Sequence, residues 1–96
     1  MTSQSYIKSY MTSKFSGKYR ISPGGKELTI NSPFVPDERR HFSINLETGL
    51  WQDFKAQKTG NFVQLYSYLE NKPYKIAEKE INYKDLLQNK NLFEYT

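Results

Sequence analysis

The sequence of 96 residues lacks cysteine entirely and contains a single histidine, His41. Without thiols the chain can form neither disulfides nor a thiolate metal site, and one imidazole offers a structural zinc at most one nitrogen ligand. No apolar run approaches the roughly 20 residues of a membrane-spanning helix, and Met1-Thr2-Ser3 does not begin a signal peptide. We therefore expect a soluble cytoplasmic protein with no metal, no cofactor and no membrane partner.

The length of the chain is sufficient for one small domain, which we expect to span residues 1–96. Its aliphatic content is modest, but it has eight Tyr, six Phe and one Trp. Aromatic rings bury the largest apolar area per side chain, so this composition predicts a small core built mainly from rings. Several Tyr side chains are left for the surface.

The net charge of +4 is confined to the first third of the chain. Residues 1–31 carry five basic side chains against Glu27 alone, residues 32–81 carry seven basic and seven acidic side chains, and residues 82–96 carry two of each. A basic segment favours a polyanionic partner, nucleic acid before membrane. The alternative is an ordinary basic surface that binds no polyanion.

The first third of the sequence predicts a helix followed by a β-hairpin. Apolar residues 6, 7, 10, 11 and 15 recur at helical spacing after a serine cap, and Gly17 ends the run. Residues 19–22 and 27–30 then alternate apolar and polar side chains around the turn PGG at residues 23–25. The inward face of this hairpin is predicted to consist of Tyr19, Ile21, Leu28 and Ile30.

The rest of the sequence predicts a second hairpin and at least two helices. Residues 42–46 and 50–54 alternate around a turn at residues 47–49, and a helical stripe of residues 62, 65, 66 and 69 follows a cap at Asn61 or Thr59. After Pro73, a short helix should direct Ile76, Ala77 and Ile81 inward. Residues 82–96 either extend this helix or form a tail that docks through Leu92 and Phe93. The predicted fold class is α+β: a small antiparallel sheet flanked by an N-terminal helix and two or three C-terminal helices.

The order of these elements resembles the N-terminal zinc ribbon of bacterial and phage DNA primases and primase-helicases. That family has Cys-Pro-Phe-His, a charged loop, Ser-Phe-Ser-Val, a Gly-x-Tyr or Gly-x-Trp hairpin, Cys-Phe-x-Cys, and a Gly-Asp or Gly-Asn step into a helix. In this chain SPFV stands at residues 32–35, DERR at 37–40, HFSIN at 41–45, GLWQDFKA at 49–56 and GNFV at 60–63. The resemblance covers roughly residues 30–81, and the basic segment 1–31 precedes it.

The four positions of the family's zinc ligands fall on residues that cannot form its metal site, namely Ser32, Val35, Asp53 and Ala56. The resemblance therefore implies a ribbon that folds without zinc. A structural zinc contributes on the order of 10 kcal/mol to a small finger. Four or five additional buried rings and aliphatics, at roughly 2–3 kcal/mol each, would offset that loss. The candidates for such a cluster are Phe34, Val35, Phe42, Trp51, Phe54, Ala56 and Phe62.

Basic side chains in three places are candidate phosphate contacts: Lys18, Arg20, Lys26, Arg39, Arg40, Lys55 and Lys58. The first three have only Glu27 nearby to offset them. Arg39 and Arg40 lie in the loop that approaches the template in the family, although Asp37 and Glu38 can cancel their charge. Trp51 either stacks on a base or forms the centre of the core.

Catalytic patterns are missing from the sequence. Asp37, Glu38 and Asp53 are acidic and close together, but no glycine-rich phosphate loop, no nucleophile paired with histidine and no metal constellation accompanies them. We therefore predict that this chain is not an enzyme. The primase polymerising centre, by the resemblance, resides in a different domain.

Two functions remain open from the sequence. In the first, a metal-free primase-type ribbon binds single-stranded template DNA in a replication or primase assembly of a phage, within the bacterial cytoplasm. Its partners would be a primase catalytic domain, a helicase or another replication protein. In the second, the ribbon has no DNA affinity and docks on a replication or transcription protein. The basic segment 1–31 favours the first function, and the balanced charge of residues 32–81 favours the second.

Overall fold

The computed structural model of the protein describes residues 2–94, and side chains are described through residue 88. Three helices and five strands follow one another along the chain: α1 (Gln4–Lys14), β1 (Arg20–Ile21), β2 (Glu27–Ile30), β3 (Phe42–Asn45), β4 (Trp51–Asp53), β5 (Lys58–Gly60), α2 (Phe62–Leu69) and α3 (Tyr74–Glu94). The domain is therefore of the α+β class, as predicted. Within residues 2–94, no helix has the length and apolar character needed to cross a membrane.

The five strands form one antiparallel sheet in the order of the sequence, β1-β2-β3-β4-β5. Leu28 pairs with Ile44, which pairs with Trp51, and the next row joins Ile30, Phe42 and Asp53. Directly paired residues point to the same side of a sheet. These two rows are buried, so they define the covered face, on which all three helices contribute to the core.

Local sequence fixes where the helices begin. Ser3 caps α1, since its hydroxyl accepts a hydrogen bond from the backbone N–H of Tyr6 at 3.2 Å. Asn61 caps α2 through a reciprocal pair of bonds with Gln64, a capping box. Pro73 precedes α3, and its carbonyl accepts from the N–H of Ala77 at 2.9 Å. The predicted starts at a serine, at Asn61 and after Pro73 are confirmed.

Gly49 links the second hairpin to the helical layer. Its φ of +78° is a left-handed conformation that favours glycine, and a Cβ atom at this position would lie 2.9 Å from Cβ of Phe62 and 3.3 Å from Cδ1 of Ile7. The turn between β3 and β4 therefore packs directly against α1 and the start of α2. Any other side chain there would push these elements apart.

Several predicted details of the fold are wrong. Tyr19 is exposed and precedes β1, because that edge strand pairs with β2 over only two residues. Ile76 is 49% exposed, since the buried side of α3 follows Ala77 and Ile81 instead. The helix that begins at Tyr74 continues to Glu94 without a break, so of the two alternatives for the end of the chain the helical extension is confirmed through residue 94. The proposed docking of Leu92 and Phe93 lies outside the described side chains.

Strand β5 was missed by the sequence analysis. Its residues, Lys58–Gly60, show no alternation of apolar and polar side chains. The strand is held by pairing with β4 and by the Thr59 hydroxyl, which donates to the carbonyl of Trp51 at 2.8 Å. Gly60 lies against the indole, and a Cβ there would be 2.9 Å from Trp51 Cζ2. Contacts with a neighbouring strand, rather than local pattern, therefore create β5.

Candidate nucleic-acid interface

The face of the sheet opposite the helices is polar. Arg20 begins a row that crosses all five strands in register and continues through Thr29, Ser43, Gln52 and Thr59. None of these side chains belongs to the buried core. Glu27 lies on the same face, where its carboxylate accepts a hydrogen bond of 2.6 Å from the Ser43 hydroxyl. We call this side of the sheet the open face.

Two large apolar side chains interrupt the open face. Leu50 is 60% exposed and Phe54 is 63% exposed. Both line a shallow groove together with Ser43, Gln52 and Thr59 of the polar row. The prediction that Phe54 belongs to the core is wrong, because strand alternation directs Trp51 and Asp53 inward and therefore Phe54 outward. The alternation around Trp51 could have indicated this from the sequence.

Trp51 belongs to the core, the second of the two alternatives for this residue. It is 6% exposed, and its indole N–H donates to the carbonyl of Asn61 at 2.6 Å. Phe34 and Phe42 stack on it, each with a centroid separation of 5.4 Å. A base could reach the indole only by displacing these rings. The rings predicted at Phe34, Phe42, Trp51 and Phe62 do pack in or against the core.

Two turns beside the sheet are held by side-chain oxygens at positions where the resembling family has zinc ligands. Ser32 Oγ accepts from the N–H groups of Phe34 (3.1 Å) and Val35 (3.2 Å). Asp53 Oδ1 accepts from the N–H groups of Lys55 (3.0 Å) and Ala56 (2.8 Å). Strands β2 and β4 run in the same direction, so both turns leave the same end of the sheet. We call this region the turn end.

The sequence predicts that Val35 and Ala56 belong to the buried cluster that replaces the metal. This is wrong for Val35, which is exposed, while Ala56 is only partly buried. The two turns are instead held by hydrogen bonds from their own backbone N–H groups to the side-chain oxygens of Ser32 and Asp53. No group of three or more His, Asp or Glu side chains in the described part of the chain could hold a metal ion.

The charged loop at residues 37–40 is organised by the buried carboxylate of Asp37. This carboxylate accepts hydrogen bonds from the backbone N–H groups of Ser32, Arg39 and His41, at 2.9 to 3.0 Å, and contacts the imidazole of His41. Burial alone would raise the pKa of Asp37, but these four hydrogen bonds together hold the pKa well below its usual range. Asp37 is therefore an ionised structural anchor.

The predicted phosphate contacts at the turn end are only partly brought together. Lys55 Nζ lies 3.9 Å from Asp37 Oδ1, and the ammonium group shares a concave surface with Arg39 and His41. Arg40 is exposed beside them, with a φ of +52° and its N–H bonded to Asn31. Lys58 lies opposite Asp53 in the register of β4 and β5, so its side chain points to the covered face. There its Nζ lies 5.0 Å from the Phe34 ring centroid.

The three basic residues of the first hairpin are exposed but spread out. Arg20 lies on the open face, whereas Lys18 precedes β1 and Lys26 precedes β2. Because β1 and β2 are antiparallel, Lys18 and Lys26 flank opposite ends of the hairpin. In the described residues, none of the three forms an ion pair. They border one edge of the sheet instead of forming a compact patch.

Several other lysines are already paired. Lys14 forms an ion pair with Glu70 at 3.0 Å, and Lys72 and Lys84 both contact Glu80. Hydrogen bonds from Lys72, Tyr66 and Lys84 lower the pKa of Glu80 to about 2.

Comparison of the chain with protein-family models, with curated proteins and with solved structures finds no match. The candidate interface therefore rests on its own geometry: a groove that contains the exposed Phe54 ring and Glu27, with Arg20 on the same face and Lys55 next to Phe54 in the chain.

Proposed function

We propose that this domain binds single-stranded DNA across the open face of its sheet, with the bases against Phe54 and the phosphates on basic side chains around the face. The observation that carries this proposal is the exposed ring of Phe54 within a polar groove. Bases stack on exposed aromatic rings irrespective of sequence, with about 1–3 kcal/mol per base. A ring that is buried, such as that of Trp51, cannot act in this way.

Basic residues on two sides of the groove support the proposal. Arg20 lies on the open face at the β1 edge, and Lys55 follows Phe54 directly in the chain. Arg39 shares the concave surface of Lys55. A single strand that crosses the face from β1 to the turn end would therefore meet cations at both ends, which is the arrangement expected of non-specific single-strand sites.

The resemblance to primase zinc ribbons gives this DNA-binding function a context. We propose a metal-free ribbon, in which the turns at Ser32 and Asp53 keep their form through hydrogen bonds. Such a domain would hold template for a primase catalytic domain, a helicase or another replication protein, in a phage assembly within the bacterial cytoplasm. In this proposal the chain itself performs no catalysis.

The decisive experiment compares two alanine variants of equally exposed rings. Phe54 and Tyr83 are each 63% exposed, but Tyr83 lies on α3, away from the groove. Titration with a fluorescent single-stranded oligonucleotide should show a roughly 5- to 100-fold weaker affinity for Phe54→Ala. Tyr83→Ala should bind as the wild type does. Equal affinities of all three proteins would contradict the placement of bases on Phe54.

A second candidate function is docking on another protein, and one specific observation favours it. Through residue 88, α3 exposes five large apolar or aromatic side chains, namely Tyr74, Ile76, Tyr83, Leu86 and Leu87. If the wild-type protein shows no affinity for single-stranded or duplex DNA even at low salt, the DNA-binding proposal fails. Protein docking, through this helix or through the exposed pair on the open face, would then replace it.

A further inference from the structure

The imidazole of His41 is held in a defined orientation. Its Nδ1 atom lies 2.8 Å from Asp37 Oδ1, and the Asp37 side chain has no solvent-exposed surface. Because this carboxylate is ionised, the imidazole nitrogen that faces it must donate the hydrogen bond. Nε2 therefore points away from Asp37. The His41 side chain is 38% exposed, so its outer nitrogen is accessible to a ligand.

A second cation converges on the same carboxylate oxygen from a different element. Lys55 Nζ, from the turn between β4 and β5, lies 3.9 Å from Asp37 Oδ1. The imidazole and the ammonium group thus flank one buried oxygen atom. They line a concave surface together with Pro36, Asp37, Glu38 and Arg39. This surface adjoins the groove, because the N–H of Phe54 donates to the carbonyl of His41 at 3.0 Å.

The charge of this concavity depends on His41. The charged groups that line the concavity with the imidazole are Asp37, Glu38 and Arg39 from its own loop and Lys55 from the opposite turn, while Arg40 precedes His41 in the chain without lining it. Two cations against two carboxylates give a net charge of zero when His41 is neutral. Protonation of His41 raises the total to +1 and turns Nε2 into a hydrogen-bond donor. One proton on His41 therefore gives the lining of the concavity its net positive charge.

We propose that this concavity is a phosphate-binding subsite in which His41, oriented by Asp37, contacts a phosphate of single-stranded nucleic acid together with Lys55 and Arg39. Protonation of His41 strengthens the contact, so affinity rises as pH falls. This inference rests on the proposed function, since it assigns one phosphate position beside the base-stacking ring. The ligand chemistry is a phosphate group, either an internal diester or a terminal monoester.

The test compares the pH dependence of binding in the wild type and in His41→Asn. Asparagine can keep the hydrogen bond to Asp37 through its amide N–H, but it does not titrate. Affinity for a single-stranded oligonucleotide with a 5′-hydroxyl is measured at low salt at a series of pH values from about 6 to about 8. Wild-type affinity should fall by roughly three- to tenfold more than that of His41→Asn across this range.

Lys79→Gln, on the exposed side of α3, provides a control for the loss of one charge and should keep the wild-type pH dependence. Thermal melting of each variant at both pH values confirms that the fold is intact. If the wild type binds DNA but its pH dependence equals that of His41→Asn, the subsite is wrong and the proposed function stands. If the wild type binds no DNA at either pH, both are wrong.

A second oligonucleotide distinguishes the two phosphate sources. The same sequence with a 5′-phosphate is titrated in parallel with the 5′-hydroxyl form, at the lower pH. Tighter binding of the phosphorylated form, abolished by His41→Asn, assigns the subsite to a terminal phosphate. Equal binding of both forms, with the pH dependence retained, assigns it to a backbone diester. Either result supports the subsite.

Discussion

Ser32 and Asp53 hold two separate turns by the same arrangement of hydrogen bonds. Each side-chain oxygen accepts from the backbone N–H groups two and three residues further along the chain. Polar caps of this kind satisfy N–H groups that a sharp turn removes from regular pairing. The more distant N–H group belongs to Val35 in the first turn and to Ala56 in the second. Hydrogen bonds therefore link Ser32 with Val35 and Asp53 with Ala56, the two pairs of positions at which the resembling family holds its ion.

The first prediction concerns metal dependence. Since side-chain oxygens order both turns, we expect a chelator to leave the thermal melting curve of the purified, tag-free protein unchanged. Metal content measured on the same sample should show no stoichiometric zinc. A melting temperature that falls on chelation, or one zinc per chain, would show that the turns need an ion after all.

The second prediction concerns the two caps. Ser32→Ala and Asp53→Ala should each lower the free energy of unfolding by about 1–2 kcal/mol, because each leaves two turn N–H groups without an acceptor. Chemical denaturation measures this change.

Asp53→Asn is the matched control for the aspartate. Asp53 is 1% exposed, and its Oδ2 atom has no hydrogen-bond partner in the described part of the structure. Asparagine keeps the accepting oxygen and removes a buried charge, so it should retain most of the stability that alanine loses. An equal loss in both variants would indicate that the carboxylate charge, and not the cap, matters.

The third prediction separates the buried ring from the exposed one. Trp51→Ala and Phe42→Ala should each destabilise the domain by roughly 3–5 kcal/mol, as large-to-small changes at buried rings do. In a domain near the low end of about 5–15 kcal/mol, this leaves little folded protein. Phe54→Ala should change the free energy of unfolding by only about 0.5 kcal/mol, since most of its side chain is in solvent. A well-folded Trp51→Ala with weakened DNA binding would reverse these roles.

The fourth prediction concerns salt dependence. Each phosphate neutralised on a single strand adds about −0.7 to the slope of log K against log salt. Replacing Lys18, Arg20 and Lys26 together by Gln should flatten this slope by roughly two units if all three contact phosphate. Because Lys18 and Lys26 flank opposite ends of the hairpin, a smaller change would show that not all three side chains contact phosphate.

Arg39 and Arg40 give a comparison within the charged loop. Their side chains are exposed, and the loop is anchored by Asp37, so the double Gln variant should remain folded. If the loop keeps its role in the resembling family, this variant should alter which template sequences are preferred. Unchanged preference, with only weaker binding, would reduce the two arginines to phosphate contacts.

The fifth prediction concerns acid stability. The folded-state pKa of Asp37 lies well below its ordinary value of about 3.9, so its ionised form stabilises the fold above that value. This contribution is lost as pH falls from about 5 through the range below 4. Asp37→Asn should be less stable than the wild type at neutral pH and lose less stability on acidification. Parallel denaturation curves of the two proteins across this range would contradict the anchoring role.

The sequence by itself determined the elements that depend on local pattern. Alternation around residues 23–25 and 47–49 predicted the two hairpins, and the apolar stripe after Asn61 predicted α2. These signals work because a strand or a helix repeats its inward positions at a fixed spacing. The absence of cysteine excluded thiolate ligands. The composition also predicted a core built mainly from rings, and this is wrong: of the fourteen buried core residues in the described part of the chain only five are aromatic, because the helices and strands also bury Ile, Leu, Met and Ala side chains.

Tertiary structure decided the features that arise between distant residues. Lys58–Gly60 becomes a strand only because β4 offers it unpaired backbone groups, and Trp51 is buried because Phe34 and Phe42 stack on its indole. His41 and Lys55 both contact the carboxylate of Asp37, so this contact joins the loop of residues 37–41 to the turn between β4 and β5. Sequence spacing does not predict this contact, because the contact depends on how the sheet brings the ends of its strands together.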